Sequence, residues 1–279
     1  MWHESLAGIA DLMSSPRFTD VLAPGAVNPK QWAKYNILVE FDVISRDLLF
    51  DMAETARKSD SDDDHLRLFW HALAWGVMGN FRNAGQIAHS AQDEAGRLRL
   101  VHAVRTASLA SYAGDIASAY RAFVETKINR LGPAFFTKIL YFTGNRESAD
   151  PRCLIFDAHV ESALPTITGQ SYSSTKRTTD YVRYCADVHD WAHKYGTTPD
   201  AVEGRLYQLG QLTGDSRRRW LSAEVSLHRE GLAVDKGALR GLKFSVALPE
   251  RLARQTLSAR LVNTIGSELV LTEKTQLRS

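Results

Sequence analysis

Apolar residues recur at intervals of three and four along most of the chain, with polar residues between them. From Asp180 to Tyr195 they form one continuous stripe, and segments 65–78, 83–90, 95–111 and 116–129 repeat the same periodicity. Spacing of this kind places apolar side chains on one face of an α-helix. The pattern therefore predicts a mainly α protein in which each helix buries one side.

The pattern is less regular near the N-terminus. Residues 2–14 suggest a short helix, and Trp32 to Ala56 suggests a long one, with a strand as the alternative near Ile37 to Ile44. Further on, Gly76 falls at the close of the helix predicted for residues 65–78, where glycine commonly ends a helix.

The last quarter of the chain changes character. Its pattern predicts a strand at 242–248, a helix from Pro249 to about Val262, and a second strand near 268–272. We therefore expect a helical bundle with a small C-terminal α+β appendage. The expected units are an N-terminal helical segment at 1–60 packed on the core, a helical domain at 61–212, and a basic appendage at 213–279.

Composition narrows the class of protein. Acidic Glu4 and Asp11 interrupt the apolar start of the chain, which is typical of an amphipathic helix and not of a signal peptide. Apolar runs stay below the ~18–20 residues needed to cross a bilayer, so we expect no membrane partner and a cytoplasmic protein. Cys153 and Cys185 have no Cys-x-x-Cys partner, so we expect no structural zinc, iron–sulfur cluster or other cofactor.

Charge is distributed unevenly, although the net charge is only +2. From Gly204 to the end there are 13 Lys and Arg against 7 Asp and Glu, and the densest basic run is 217–219. Arg217 and Arg218 are candidates for a phosphate-binding edge. An ordinary solvated surface is the alternative interpretation.

The segment from Ile128 to Leu164 carries the strongest motif. A helix pattern ends at Gly132-Pro133, a second helix pattern carries Lys138, and a connection leads to Asp157 just before a third helix. An amine and a carboxylate are thus each placed close to the start of a helix. This arrangement, with the aspartate nineteen residues beyond the lysine, resembles the helix-hairpin-helix DNA glycosylases, and in particular the 8-oxoguanine branch.

The resemblance covers roughly residues 64 to 210 and rests on two short motifs. The family's hairpin ends in Thr-Lys, matched by Thr137-Lys138, and its aspartate lies in Val-Asp-Val-His, matched by 156–159. The resemblance implies that Lys138 is a Schiff-base nucleophile, that Asp157 supports the sugar cation, and that His159 contacts a DNA phosphate. It also implies phosphate contacts at Gly132 and Thr137. The family's Gly-x-Gly before the Thr is replaced here by Ala-Phe-Phe at 134–136.

Candidate base-pocket residues follow from the same resemblance. Glu203 and Tyr207 lie four positions apart, which places them on one face of a helix that holds the extruded base in the family. Trp75 and Phe142 are further candidates for an apolar slot. The alternatives are that Tyr207 belongs to the core and that Glu203 is a surface charge.

The predicted activity is excision of a damaged guanine from double-stranded DNA, followed by strand cleavage, by a monomeric protein. An amine can attack only when it is neutral, and burial next to Phe135 and Phe142 would lower the pKa of Lys138 while Asp157 opposes that shift. Two rivals remain open. One is a DNA-binding module without catalysis, and the other is a related fold adapted to another modified base, or to an operon-encoded partner in antiviral defence.

Overall fold

The computed structural model describes residues 8–211, apart from 17, 21–24, 60, 78–80, 127 and 174–176, together with residues 259–262 and 268–271. Within this part of the chain the protein is mainly helical, as the periodicity predicts. The helices are α1 (Ile9–Ser14), α2 (Pro29–Ala33), α3 (Arg46–Lys58), α4 (Asp62–Val77), α5 (Arg82–Ser90), α6 (Glu94–Tyr112), α7 (Ile116–Thr126), α8 (Pro133–Thr143), α9 (Ala158–Thr168), α10 (Thr178–Lys194) and α11 (199–211).

Two short antiparallel ribbons accompany the helices. Strand β1 (Gly25–Ala26) pairs with β2 (Val43–Ile44), and β3 (Ala259–Val262) pairs with β4 (Glu268–Leu271). The predicted strand near 268–272 is confirmed by β4. The helix predicted up to about Val262 is wrong over residues 259–262, because the backbone groups of this segment pair with β4 and cannot also close helical turns. The predicted strand at 242–248 lies outside the described residues.

The single long helix predicted from Trp32 to Ala56 is also wrong. The chain leaves α2 through Asn36, whose φ of 57° lies in the left-handed region, and then forms β2. Helix α3 begins anew because the Ser45 hydroxyl accepts a hydrogen bond from the N–H of Leu48 at 3.1 Å. The strand alternative is correct only at Val43–Ile44.

The core is built mainly from the faces that the periodicity identified. Helix α6 packs against α4, α7 and α8, and α3 packs against α4 and α8. In the α7–α8 pair, Phe136 lies between Tyr120 and Phe123, with ring centroids 5.0 and 5.3 Å apart respectively. Aromatic stacking of this kind fixes α8 against its neighbours and so positions the residues that α8 carries. Residues before position 60 contribute to the same core, among them Leu12 and Trp32.

Among the described helices, none is both long and apolar enough to cross a membrane. Within the same residues, no group of three or more His, Cys, Asp or Glu side chains is arranged to hold a metal ion.

Candidate active site

Lys138 lies on the second turn of α8 and is almost completely buried, with 7% of its surface exposed. Pro133 occupies the first turn of this helix, where its missing N–H costs no hydrogen bond. The Lys138 amine donates to the carbonyl of Ala134 and lies 3.9 Å from Oδ2 of Asp157. The pairing of lysine and aspartate that the motif predicts is therefore present as a contact.

Gly76 of α4 makes room for the lysine stem. A methyl group added at Gly76 would lie 2.7 Å from both Cδ and Cε of Lys138, well inside van der Waals contact. Sequence reasoning interpreted Gly76 as part of a helix end. Its observed role is a contact across 62 residues of sequence, which a local pattern cannot show.

The two carboxylate oxygens of Asp157 make different contacts, one with a helix N-terminus and one with the lysine. Oδ1 caps α9 by accepting hydrogen bonds from the N–H groups of His159 at 2.9 Å and Val160 at 3.2 Å. Oδ2 faces Lys138. The helix cap fixes the side-chain rotamer, so the second oxygen is held in place without a further side chain.

Thr137 connects α8 to the segment that carries Asp157. Its hydroxyl donates to the carbonyl of Pro133 at 2.6 Å and accepts from the N–H of Phe156 at 3.0 Å. The residue has no exposed surface. A phosphate contact by Thr137 is therefore not supported in this structure, and its observed role is to hold the lysine helix at a fixed distance from the aspartate.

The electrostatic environment of Lys138 favours a neutral amine. Burial lowers the pKa of Lys138, Asp157 and Glu203 oppose that shift, and Arg46 adds to it. The sequence predicted both opposing effects, and in the structure the effect of burial is the larger. A lowered pKa increases the fraction of neutral amine at a given pH, and the neutral amine is the nucleophilic form.

Glu203 of α11 is buried, with 1% of its surface exposed, so the surface-charge alternative is wrong. Its Oε2 lies 3.4 Å from Nη2 of Arg46. Burial raises the pKa of Glu203 to about 7 despite that guanidinium. The carboxylate belongs to the same charged cluster as Lys138 and Asp157, whose charges act on one another.

Sequence reasoning missed Arg46. Its Nη1 donates to the hydroxyl of Tyr141 at 2.9 Å, and its guanidinium carbon lies 5.5 Å from the centre of the Trp75 ring. The apolar pattern placed Arg46 inside one long helix, so the unfavourable position of a cation at a helix start was not visible in the sequence. Its partner was not visible either, because Glu203 is 157 positions away.

The predicted aromatic residues form a wall beside this cluster. Trp75 packs edge-on against Phe142 with ring centroids 5.4 Å apart, and β1 lies so close to Trp75 that a methyl group at Gly25 would approach its ring to 2.7 Å. Phe142 is 2% exposed and packs behind Trp75, whereas Trp75 is partly exposed. Trp75 is thus the more accessible of the two candidates.

Tyr207 and His159 contact each other. Their rings meet edge-on at a centroid distance of 5.2 Å, and both are partly exposed. Burial raises the pKa of Tyr207 to about 12, so its hydroxyl stays protonated at neutral pH. The candidate base contact and the candidate phosphate contact are therefore neighbours.

Three further candidates are Gly132, Arg217 and Arg218. Gly132 caps the start of α8 and is partly exposed, and a methyl group added there would meet no atom within 4 Å. Arg217 and Arg218 lie outside the described residues.

Comparison with known proteins assigns the chain to a family. Residues 21–207 match the family model described as "Putative 8-oxoguanine DNA glycosylase OGG-like protein". Because the match spans more than half of the chain, the protein belongs to this 8-oxoguanine DNA glycosylase-like family. Searches of curated proteins and of solved structures found no match to the chain.

Proposed function

We propose that this protein is a DNA glycosylase with AP lyase activity that removes an oxidised guanine through a Schiff base at Lys138. The observation that carries the proposal is a buried lysine with a lowered pKa facing a capped aspartate at 3.9 Å, within the family match. The family description supports a glycosylase, and the lysine geometry supports the covalent route.

In the proposed reaction, Asp157 stabilises positive charge on the deoxyribose as the N-glycosidic bond breaks and the base leaves with the bonding electrons. The neutral Lys138 amine attacks C1′ and forms a C1′–N bond. One proton passes from the nitrogen to the ring oxygen O4′ and the C1′–O4′ bond breaks, which gives an iminium ion at C1′ and a free 4′-hydroxyl. The iminium acidifies a C2′ proton. Loss of that proton expels the 3′ phosphate and cuts the strand.

The proposed DNA contacts come from described helices and from the basic C-terminal segment. His159 and the N-terminus of α8 at Gly132 would contact phosphates, and Arg217 and Arg218 would add a basic edge. The extruded base would lie near Trp75 with Phe142 behind it. Glu203 and Tyr207 would approach the base from α11, where an acidic group can accept the N7–H that oxidised guanine has and guanine lacks.

Covalent trapping tests the proposal. The protein is incubated with borohydride and duplexes that contain 8-oxoguanine, guanine or an abasic site, and adducts are resolved on a denaturing gel. The wild type should form an adduct with the 8-oxoguanine and abasic duplexes, and Lys138→Gln should form none. Lys58→Gln, which removes an exposed lysine of α3, is the matched control and should retain the adduct. An equal adduct yield with Lys138→Gln refutes the assignment.

A second candidate is a DNA-binding module without catalysis. The observation that favours it is the replacement of the family's Gly-x-Gly by Ala-Phe-Phe at 134–136, because bulky residues limit backbone approach to a phosphate. This candidate predicts that the wild type binds duplex DNA in a gel shift but gives no adduct with any of the three duplexes. Activity only on a different modified base in the same assay would instead favour an adapted substrate.

A further inference from the structure

Arg46 occupies a position that is unfavourable for its own helix. It is the first residue of α3, where the partial positive charge of the helix N-terminus opposes a cation. Its buried Nε has no hydrogen-bond partner among the described residues. A buried N–H without a partner also costs free energy. Because neither the helix nor the core accounts for an arginine here, a role in the adjacent site is indicated.

The guanidinium of Arg46 contacts two other side chains of the site. Nη2 contacts Oε2 of Glu203 at 3.4 Å, and Nη1 donates to the Tyr141 hydroxyl at 2.9 Å. Tyr141 lies on α8, less than one turn beyond Lys138. Arg46 therefore joins α3 to α11 and to the helix that carries the lysine.

Three charged groups act on the Lys138 amine from the elements packed around it. They are Asp157 at the start of α9, Glu203 on α11 and Arg46 on α3. Helix α4 contributes the uncharged Gly76. A further ion pair, between Arg152 and Asp200 at 2.6 Å, lies in the same region, and the charge of Asp200 raises the pKa of both Arg46 and Glu203. Three nearby tyrosines are also titratable and have raised pKa values: Tyr141, Tyr184 and Tyr207.

We infer that Arg46 is a positioning residue for the Schiff-base chemistry proposed above: its guanidinium engages the Glu203 carboxylate and so prevents that carboxylate from holding Lys138 as an ammonium ion. Removal of Arg46 takes away a positive charge that lowers the pKa of both Lys138 and Glu203. The buried acid and the buried amine can then share a proton as a carboxylate–ammonium pair, so the fraction of neutral amine that can attack C1′ falls. Arg46 does not touch the substrate.

The test measures the protonation of Lys138 in the absence of DNA. An amine-reactive reagent is applied in trace amount across a pH series, and labelling of the Lys138 peptide is quantified by mass spectrometry against a free-amine standard. Arg46→Met should move the labelling midpoint up by about one pH unit or more, which is about a ten-fold loss of neutral amine at fixed pH. Arg46→Lys retains a positive charge and should stay closer to the wild type.

Two further variants separate this electrostatic role from a structural one. Adding Glu203→Gln to Arg46→Met should return the midpoint towards the wild type, because the competing carboxylate is then gone. Arg146→Met is the matched control, since Arg146 also stacks on an aromatic ring, Phe50, at 4.2 Å but is not among the charges acting on Lys138. If Arg46→Met fails to fold, Glu203→Gln alone should still lower the midpoint.

The inference is overturned if the midpoint is unchanged in Arg46→Met, or unchanged in Glu203→Gln where the first variant is unfolded. The inference rests on the proposed function, but different experimental results would refute the inference and the proposed function. Absence of any adduct with wild-type protein refutes the Schiff-base activity and leaves the labelling midpoints intact. A trapped wild type whose pH–rate profile is the same in Arg46→Met refutes the role of Arg46 alone.

Discussion

Replacing Gly76 by alanine should impair catalysis while leaving the fold intact. The added methyl group would start 2.7 Å from Cδ and Cε of Lys138, against an ordinary carbon–carbon contact of about 3.5–4.0 Å. The lysine stem must therefore shift by about 1 Å. A misplacement of that size can cost about 100-fold in rate, because attack requires close alignment of the reacting atoms. Stability should change little, since alanine is preferred to glycine in a helix by about 1 kcal/mol.

Single-turnover trapping on an abasic duplex measures this effect directly, with thermal unfolding recorded in parallel. Gly85→Ala is a close control, because Gly85 is also helical and its added methyl group would lie 2.7 Å from the flexible tip of Tyr35 in another part of the molecule. It should retain wild-type trapping. Full activity in Gly76→Ala, or an equal loss in Gly85→Ala, would refute the view that Gly76 positions the nucleophile.

Four further predictions concern the groups around the lysine. Asp157→Asn should lose most base excision, while its duplex affinity in a gel shift stays within a few-fold of the wild type. Asp157→Ala should in addition lose about 0.5–2 kcal/mol of unfolding free energy, because the helix cap is removed. A parallel loss of affinity and excision in Asp157→Asn would identify Asp157 as only a helix cap. Thr137→Val leaves the buried N–H of Phe156 without an acceptor and should cost about 1–3 kcal/mol in urea unfolding, whereas Thr137→Ser should cost less. The raised pKa of Glu203 means that the folded protein retains a proton, between pH 4.5 and about 7, that the unfolded chain releases. The unfolding free energy that this proton contributes is therefore lost as pH rises through that window, by on the order of 3 kcal/mol. Glu203→Gln should flatten the change in unfolding free energy between pH 4 and pH 8. An unaltered pH dependence in this variant would contradict the raised pKa of Glu203. Glu203→Gln and Tyr207→Ala should slow excision of 8-oxoguanine more than cutting at a preformed abasic site, and equal loss on both would remove these residues from the base pocket.

The helices of the core were predictable because each buries a stripe along one face. Helix α10 shows this well, since its apolar positions run without interruption and its side chains Tyr181, Tyr184 and Val188 are buried. The prediction was wrong between Trp32 and Ala56, where the same spacing continues across a break. In the structure the hydroxyl of Ser45 caps α3 and so sets where this helix begins. One capping residue does not alter the spacing of apolar residues, so the apolar pattern could not show the start of α3.

The contact between Lys138 and Asp157 was predictable because one motif carries both residues. Lys138 and Asp157 lie nineteen positions apart within one recognisable segment, so their contact followed from the resemblance. Gly76 and Arg46 come from helices far away in sequence, and their functions are steric and electrostatic. Such roles depend on which atom of a distant helix is nearest, and no spacing rule contains that information.

The junction between α9 and α11 bears on how base choice could be re-engineered. At Gly210 the two backbones are so close that a methyl group would fall 1.9 Å from the carbonyl oxygen of His159. Any side chain there would push the helices apart, whereas Glu203 and Tyr207 lie on the same helix about two turns and one turn before Gly210. A library that varies those two positions and keeps Gly210 would sample new pockets on an unchanged frame, and one that replaces the whole helix would lose its docking register.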